Sequence, residues 1–146
     1  MVALGGAVGV DAPSPFGDGE WQAWLAGQQA ATTRSNAVVL VWRRPWMTMN
    51  GDTYGSSLLA LLGFDNVFAG DDDRYPEVTL EEVSSRRTDV VLLPSEPYPF
   101  RDRHVPEVAT GLPGADIMLV DGRDLFWWGI RTTGATARLG EALTPR

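Results

Sequence analysis

Aromatic side chains follow three short apolar runs of this chain, and they are its clearest candidates for binding chemistry. Indole and phenol rings offer large, rigid apolar faces that can stack on a flat ligand or pack against a partner. The apolar runs are 38–41, 90–93 and 117–120, and the rings that follow them are Trp42, Trp46, Tyr98, Phe100, Phe126, Trp127 and Trp128. The pattern predicts a surface for recognition.

Polar side chains and one further ring lie close to these runs in the sequence. Arg43 stands between two tryptophans and could meet an anionic group, while Glu96 lies in a proline-stiffened loop and is available to a polar ligand. Arg131 precedes the last predicted helix and could pair with a carboxylate. Tyr75 is followed by proline, which favours an extended chain from which the ring can project. For Trp46 an alternative stays open, in which the ring only covers the sheet end beside solvated arginines.

The residue types needed for common catalytic chemistry are scarce. The chain has no cysteine and no lysine, which excludes thiolate nucleophiles and Schiff-base lysines. His104 is the only histidine, no Gly-x-Ser-x-Gly motif is present, and we expect an exposed loop histidine. The best acid–base set, Glu96 with Asp52 or Asp121, is only a scattered group of carboxylates. We therefore predict no enzymatic activity, no metal site and no cofactor, and interpret the acidic run 71–73 as a solvated turn.

Length and charge narrow the class of protein. A chain of 146 residues is the size of one domain, and its net charge of -7 disfavours binding to nucleic acid. No apolar run reaches the roughly 18 residues needed to span a bilayer. Residues 1–10 are apolar but have no basic n-region, so we predict no signal peptide and leave the compartment open.

The order of predicted elements indicates how the rings are positioned. Strands are predicted over 37–42, 89–93 and 115–120, with a short strand at Val67 and Phe68. Helices are predicted from a cap at Asp52 or Thr53 to Gly63, from the capping box at Thr79 to about 87, and from Thr132 or Thr133 to 143. Residues 101–110 form a possible helical connection, Asp121 and Gly122 a turn, 11–19 a linker and 20–32 a helix.

This alternation predicts an α/β fold, a three-layer sandwich with a mostly parallel sheet of about four strands flanked by helices. Ligands of such sheets bind outside the carboxyl ends of the strands. Because the aromatic residues follow the strands directly, we expect them at that edge.

Three stretches of the sequence together resemble a known family. They are VLVWRRPWMTMNGDTYGSSLLALLGFDNVFAG, RYPEVTLEEVSSRRTDVVLLPSEPYPF and ADIMLVDGRDLFWWG. The pattern is similar to the C-terminal lobe of the cobalamin- and iron-siderophore-binding periplasmic proteins of ABC importers, the helical-backbone metal receptors, and covers roughly residues 37–143.

The resemblance implies a function and roles for several residues. It implies a substrate-binding lobe for a metal chelate, which would be cobalamin, a ferric siderophore or haem. Trp46, Tyr75 and either Trp127 or Trp128 correspond to ligand-contacting aromatics. Glu81 corresponds to the glutamate that docks the lobe onto arginines of the ABC permease. Members of the family are extracytoplasmic and membrane-associated.

The resemblance also implies a domain organisation. Residues 1–36 would be a remnant of the linking helix and a linker, and 37–146 a C-terminal-type lobe without its N-terminal lobe. The predicted ligand face consists of Trp46, Tyr75, Tyr98, Trp127, Trp128, Arg43, Glu96 and Arg131. An alternative uses the same aromatic face in a module for protein interaction or self-association.

Overall fold

The computed structural model describes residues 34–127 and 132–143. The strands are β1 (Ser35–Val39), β2 (Trp46–Met47), β3 (Phe64–Asn66), β4 (Glu77–Val78), β5 (Val90–Pro94) and β6 (Asp116–Val120). The helices are α1 (Tyr54–Leu61), α2 (Leu80–Ser85), α3 (Val105–Gly111), α4 (Gly122–Phe126) and α5 (Thr132–Leu143), and a 3-10 turn covers Asp102–His104. The predicted helix over 20–32, the linker before it and the apolar residues 1–10 lie outside the described residues.

The main sheet has four parallel strands in the order β3-β1-β5-β6. Side chains that alternate along β1 enter different cores. Val39 packs with α1, α4 and α5 on one face of the sheet, and Val38 packs with α2 and α3 on the other. Burial on both faces explains why these strands are continuous apolar runs. The predicted α/β sandwich with a parallel sheet between helical layers is confirmed.

Two helices begin directly after the N-cap residues that the sequence predicted for them, Thr53 and Thr79. The Thr53 side chain accepts a hydrogen bond from the Ser56 N–H at 3.2 Å, and the Thr79 side chain accepts one from the Glu82 N–H at 3.1 Å. Gly63 follows α1 with a φ of 87°, a conformation that glycine adopts without strain. These local signals are confirmed because each depends on residues within one helical turn.

The short strand predicted at Val67 and Phe68 is wrong by three residues, since β3 covers Phe64–Asn66. The Asn66 side chain accepts a hydrogen bond from the Phe68 N–H at 3.0 Å, which turns the chain and ends the strand. Phe68 is instead a fully buried side chain of the core.

The turn predicted at Asp121 and Gly122 is the start of helix α4. The Asp121 side chain accepts a hydrogen bond from the Arg123 N–H at 3.0 Å and so caps the helix. Gly122 packs against the loop after β5, where a β-carbon would overlap the backbone of Glu96. The Ser95 hydroxyl accepts a hydrogen bond from the Gly122 N–H at 3.1 Å, so the loops after β5 and β6 are held together.

A small antiparallel ribbon lies beside the main sheet. Strand β2 pairs with β4, and the same register continues to Thr48, whose N–H donates to the Pro76 carbonyl at 3.1 Å. At its other end the ribbon begins in a tight hairpin of residues 42–47, closed by the bridge between Trp42 and Met47. This hairpin starts where β1 leaves the sheet.

Helices α4 and α5 are joined by an ion pair with one buried partner. Two Arg138 nitrogens lie 2.7 and 2.5 Å from the two carboxylate oxygens of Asp124, and Asp124 is buried. Two parallel charge-assisted hydrogen bonds offset the desolvation of that carboxylate.

Arg138→Met is predicted to lower the free energy of unfolding by about 2–4 kcal/mol, because it removes the guanidinium from a buried carboxylate. Denaturant unfolding followed by circular dichroism would measure it. The control is Asp65→Asn, which breaks the exposed pair with Arg34 and should cost less than about 1 kcal/mol. Equal effects of the two substitutions would contradict this account of α5.

Candidate functional site

The strand order reverses at β1. The chain runs from β1 to β3 on one side and then crosses to β5 on the other side of β1. The segments that leave β1 and β5 therefore start side by side at the carboxyl edge, where successive connections turn to opposite faces of the sheet. In open α/β sheets this reversal point is where ligands bind.

Five rings lie together at this reversal point, and we call them the aromatic cluster: Trp42, Trp46, Tyr98, Phe100 and His104. The Trp42 and Tyr98 rings meet edge to face at 5.5 Å between centroids. Trp46 and Phe100 are parallel at 6.2 Å, and Tyr98 lies 4.7 Å from Phe100. The cluster joins the hairpin after β1 to the loop after β5, across residues that are more than 50 positions apart.

Exposure differs sharply within the cluster. Trp42 is 42% exposed and Phe100 only 3%, while Trp46 and Tyr98 are half-buried. Trp46 stacks on Phe100 and has the Arg43 guanidinium 5.9 Å from its ring centroid. The ring of this hairpin with most surface open to solvent is therefore Trp42. Trp42 falls at the end of the strand predicted over 37–42 and is absent from the predicted ligand face.

The Arg43 guanidinium is bound within the protein. Its Nε and Nη2 lie 2.8 and 2.7 Å from one carboxylate oxygen of Glu107 on α3. This hydrogen bond raises the pKa of Arg43. The predicted contact of Arg43 with an anionic ligand would compete with Glu107.

His104 is not the exposed loop histidine that the sequence predicted. It is buried, its Nδ1 accepts a hydrogen bond from the Arg101 N–H at 2.9 Å, and its ring meets Tyr98 and Phe100 edge-on at 5.5 and 5.6 Å. The Arg103 Nε lies 3.3 Å from His104 Nε2, so a cationic donor faces the second ring nitrogen. Burial lowers the pKa of His104, and the nearby charges of Arg103 and Arg43 lower it further.

Tyr75 and Glu81 lie at the carboxyl edge but outside the cluster. Tyr75 is 48% exposed on the strand-like segment that pairs with residues 48–50, and among the described residues it makes no ring contact. Glu81 is exposed in the first turn of α2. Its role in docking stays a prediction.

Trp127 is 58% exposed at the end of α4, where its N–H donates to the Arg123 carbonyl at 3.0 Å. Glu96 is half-buried in the loop after β5. Trp128 and Arg131 lie outside the described residues. Of the predicted ligand face, the structure places Arg43 over the Trp46 ring and packs Trp46 and Tyr98 each against the buried Phe100, while Tyr75 lies apart from them.

The described residues hold no group of three or more histidine, cysteine or acidic side chains arranged for a metal ion. Asp71 in the acidic run binds Arg86 at 2.8 Å, so only Asp72 and Asp73 of the predicted solvated turn are exposed without such a partner. Within the same part of the chain, every helix is too short or too polar to cross a bilayer.

Comparison with solved structures identifies the fold. The vitamin B12 binding protein BtuF of Vibrio cholerae matches with a TM-score of 0.66 and 17% identity, over 86% of this chain and 49% of that one. The heme binding protein HutB of the same organism matches with a TM-score of 0.69 and 18% identity. The match covers 87% of this chain and 55% of that one. A protein of the Fe3+-hydroxamate transport system of Saccharomonospora viridis matches with a TM-score of 0.59 and 22% identity. The match covers 87% of this chain and 48% of that one. No family model and no curated protein matches the sequence.

The chain thus spans about half the length of the solved structures that it matches. It has the single-lobe fold of these periplasmic binding proteins, and the resemblance stated from the sequence is confirmed for the fold. Identities of this size carry no ligand or partner over to the chain.

The buried histidine generates a pH prediction. The pKa of His104 is lowered in the folded state, so above the ordinary value of 6.5 both states are neutral and stability is unaffected by this group. As the pH falls below 6.5 the unfolded state takes up the proton first, and stability is lost until the pH passes through the folded pKa.

Urea unfolding between pH 7 and 5 would measure this loss, and NMR of the single imidazole would give the folded pKa directly. His104→Gln keeps an acceptor for the Arg101 N–H without the titration and should flatten the pH dependence over that range. An unchanged slope in this variant would assign the pH dependence to other groups.

Proposed function

We propose that this chain is a substrate-binding lobe for a large ligand with a flat face, of the corrinoid, haem or ferric-chelate class, and that it binds rather than catalyses. The observation that supports this most is the Trp42–Tyr98 pair at the strand-order reversal, 5.5 Å apart with one ring 42% exposed. It gives an apolar wall at the place where sheets of this topology bind ligands.

The wall is held in place before any ligand arrives. Tyr98 packs on the buried Phe100, and Trp46 stacks behind it, so the exposed ring pair rests on the core. A surface fixed in this way loses little side-chain entropy on binding, which favours affinity. In this proposal Trp46 supports the wall, whereas Trp42 and Tyr98 contact the ligand.

Other residues extend the proposed ligand face. Trp127 and Tyr75 are both exposed at the carboxyl edge, and each can meet a ligand that reaches beyond the cluster. Glu96 is a polar contact from the loop after β5. Trp128 and Arg131 are proposed on the family resemblance alone.

The class of ligand is proposed from the fold neighbours. The matched proteins bind vitamin B12 or heme, or belong to an Fe3+-hydroxamate transport system. All three are bulky ligands with extensive apolar or flat surface, which suits aromatic walls. We further propose that the protein works outside the cytoplasm with an ABC importer, and that Glu81 meets arginines of its permease.

Trp42→Ala is predicted to weaken binding by about tenfold, the loss expected for one stacking side chain, while Trp42→Phe keeps a ring and should retain most of the affinity. Isothermal titration of vitamin B12, haemin and a ferric hydroxamate against the full chain would measure this. At least one probe should bind the wild type.

Failure of all three probes would contradict the proposal. Light scattering on the same samples would then test the alternative from the sequence. A mass that rises with concentration in the wild type and not in Trp42→Ala would identify the aromatic face as a protein-interaction surface.

Glu81→Arg is predicted to abolish stimulation of the importer's ATPase by the loaded protein, because it places a cation against the proposed arginines. Ligand affinity should remain unchanged in this variant. The matched control is Glu141→Arg on α5, also an exposed glutamate. Equal stimulation of the ATPase by both variants would show that Glu81 is not part of the docking surface.

A further inference from the structure

We propose that Arg43 is a positioning residue that fixes the exposed ring pair, and that it does not contact the ligand. The inference rests on the proposed function, because a fixed ring pair matters only if the pair binds something. It revises the prediction that Arg43 meets an anionic group. Three features support it: the partners of Arg43, the hairpin that carries it and its effect on His104.

The charge of Arg43 is already satisfied. Two of its nitrogens bind the same Glu107 oxygen at 2.8 and 2.7 Å, and only 16% of its side chain is exposed. Glu107 lies in the first turn of α3, where the helix dipole favours a carboxylate. An anionic ligand would have to displace a carboxylate that the helix itself stabilises.

The guanidinium also links two of the segments that meet at the reversal point. It lies 5.9 Å from the Trp46 ring centroid in the hairpin, and Trp46 in turn stacks on Phe100 of the loop after β5. One side chain thus joins α3 to the hairpin directly and to the loop after β5 through Trp46. These are the segments whose relative positions decide where Trp42 meets Tyr98.

The hairpin of residues 42–47 needs such a contact. It is closed by two main-chain hydrogen bonds, from the Val41 N–H to the Met47 carbonyl at 2.8 Å and from the Met47 N–H to the Trp42 carbonyl at 3.1 Å. Arg44 at its tip has a φ of 65°, the left-handed region that residues other than glycine disfavour. A short hairpin with a strained tip is weakly stable alone, so its position depends on outside contacts. These are the pairing of β2 with β4, the stacking of Trp46 on Phe100 and the ion pair of Arg43 with Glu107.

His104 provides a readout in the protein without ligand. Burial lowers its pKa most, the positive charges of Arg103 and Arg43 lower it further, and the charge of Glu107 raises it. If Arg43 is removed, its charge no longer opposes that of Glu107, and the pKa of His104 rises. The chain has one histidine, so its NMR titration is unambiguous.

The experiment uses Arg43→Met, Arg43→Lys and the exchange Arg43→Glu with Glu107→Arg, in the full chain. In Arg43→Met without ligand we expect the NOE between the Trp42 and Tyr98 rings to be lost and the pKa of His104 to rise. Affinity for the probe that the wild type binds, among vitamin B12, haemin and a ferric hydroxamate, should fall about tenfold. The exchange should restore the NOE and most of the affinity, because it rebuilds the ion pair in the opposite direction.

Two controls separate positioning from general destabilisation. Arg34→Met breaks an exposed ion pair with Asp65 at the opposite edge of the sheet and should leave both the NOE and the affinity unchanged. If Arg43→Met fails to fold, Arg43→Lys replaces it, since lysine keeps the charge but lacks the planar guanidinium that binds Glu107 through two nitrogens.

The outcomes are distinct. A variant that loses affinity but keeps the Trp42–Tyr98 NOE would show that Arg43 contacts the ligand, and it would overturn the inference. So would a variant in which NOE and affinity are both unchanged. If the NOE is lost in Arg43→Met but the wild type binds no probe, positioning by Arg43 stands and the proposed function fails.

Discussion

The pairing of β1 with β3 on one side and with β5 on the other is the constraint on which the site depends. Parallel strands end at a common edge, and a reversal of strand order there sends successive connections to opposite faces of the sheet. The segments that leave β1 and β5 are therefore neighbours at their start, where their rings pack against one another. If β5 paired beyond β3, Trp42 and Tyr98 would lie at separate places, and the chain would have rings but no wall.

The wall is made of side chains that perform different tasks. Phe100 and the neutral His104 are buried and form the base, Trp46 stacks on that base, and Trp42 with Tyr98 forms the outer layer. Burial of an imidazole is tolerable because a main-chain N–H satisfies Nδ1 and the ring stays uncharged. This layering explains how a protein can expose a tryptophan at a fixed position and still have a well-packed core below it.

Arginine side chains hold the surrounding loops. Arg86 stacks 3.9 Å from the Phe68 ring centroid and donates to the Val67 carbonyl and to Asp71, which fixes the segment that leads towards Tyr75. Arg138 performs a comparable task between α4 and α5. The planar guanidinium suits these positions because it stacks and donates several hydrogen bonds at once. Around the site, then, cations are used to position loops.

The sequence by itself determined the parallel α/β sheet, the helix caps at Thr53 and Thr79 and the edge on which the rings lie. These features depend on apolar runs and on contacts within one turn, so they are visible in a linear pattern. Only the tertiary structure decided that Trp42 is the open ring, that His104 is buried and that Arg43 faces Glu107. Each of these depends on partners from another segment, and local spacing contains no record of such partners. Where a ring emerges, and which charges are already paired, is set by the packing of distant segments.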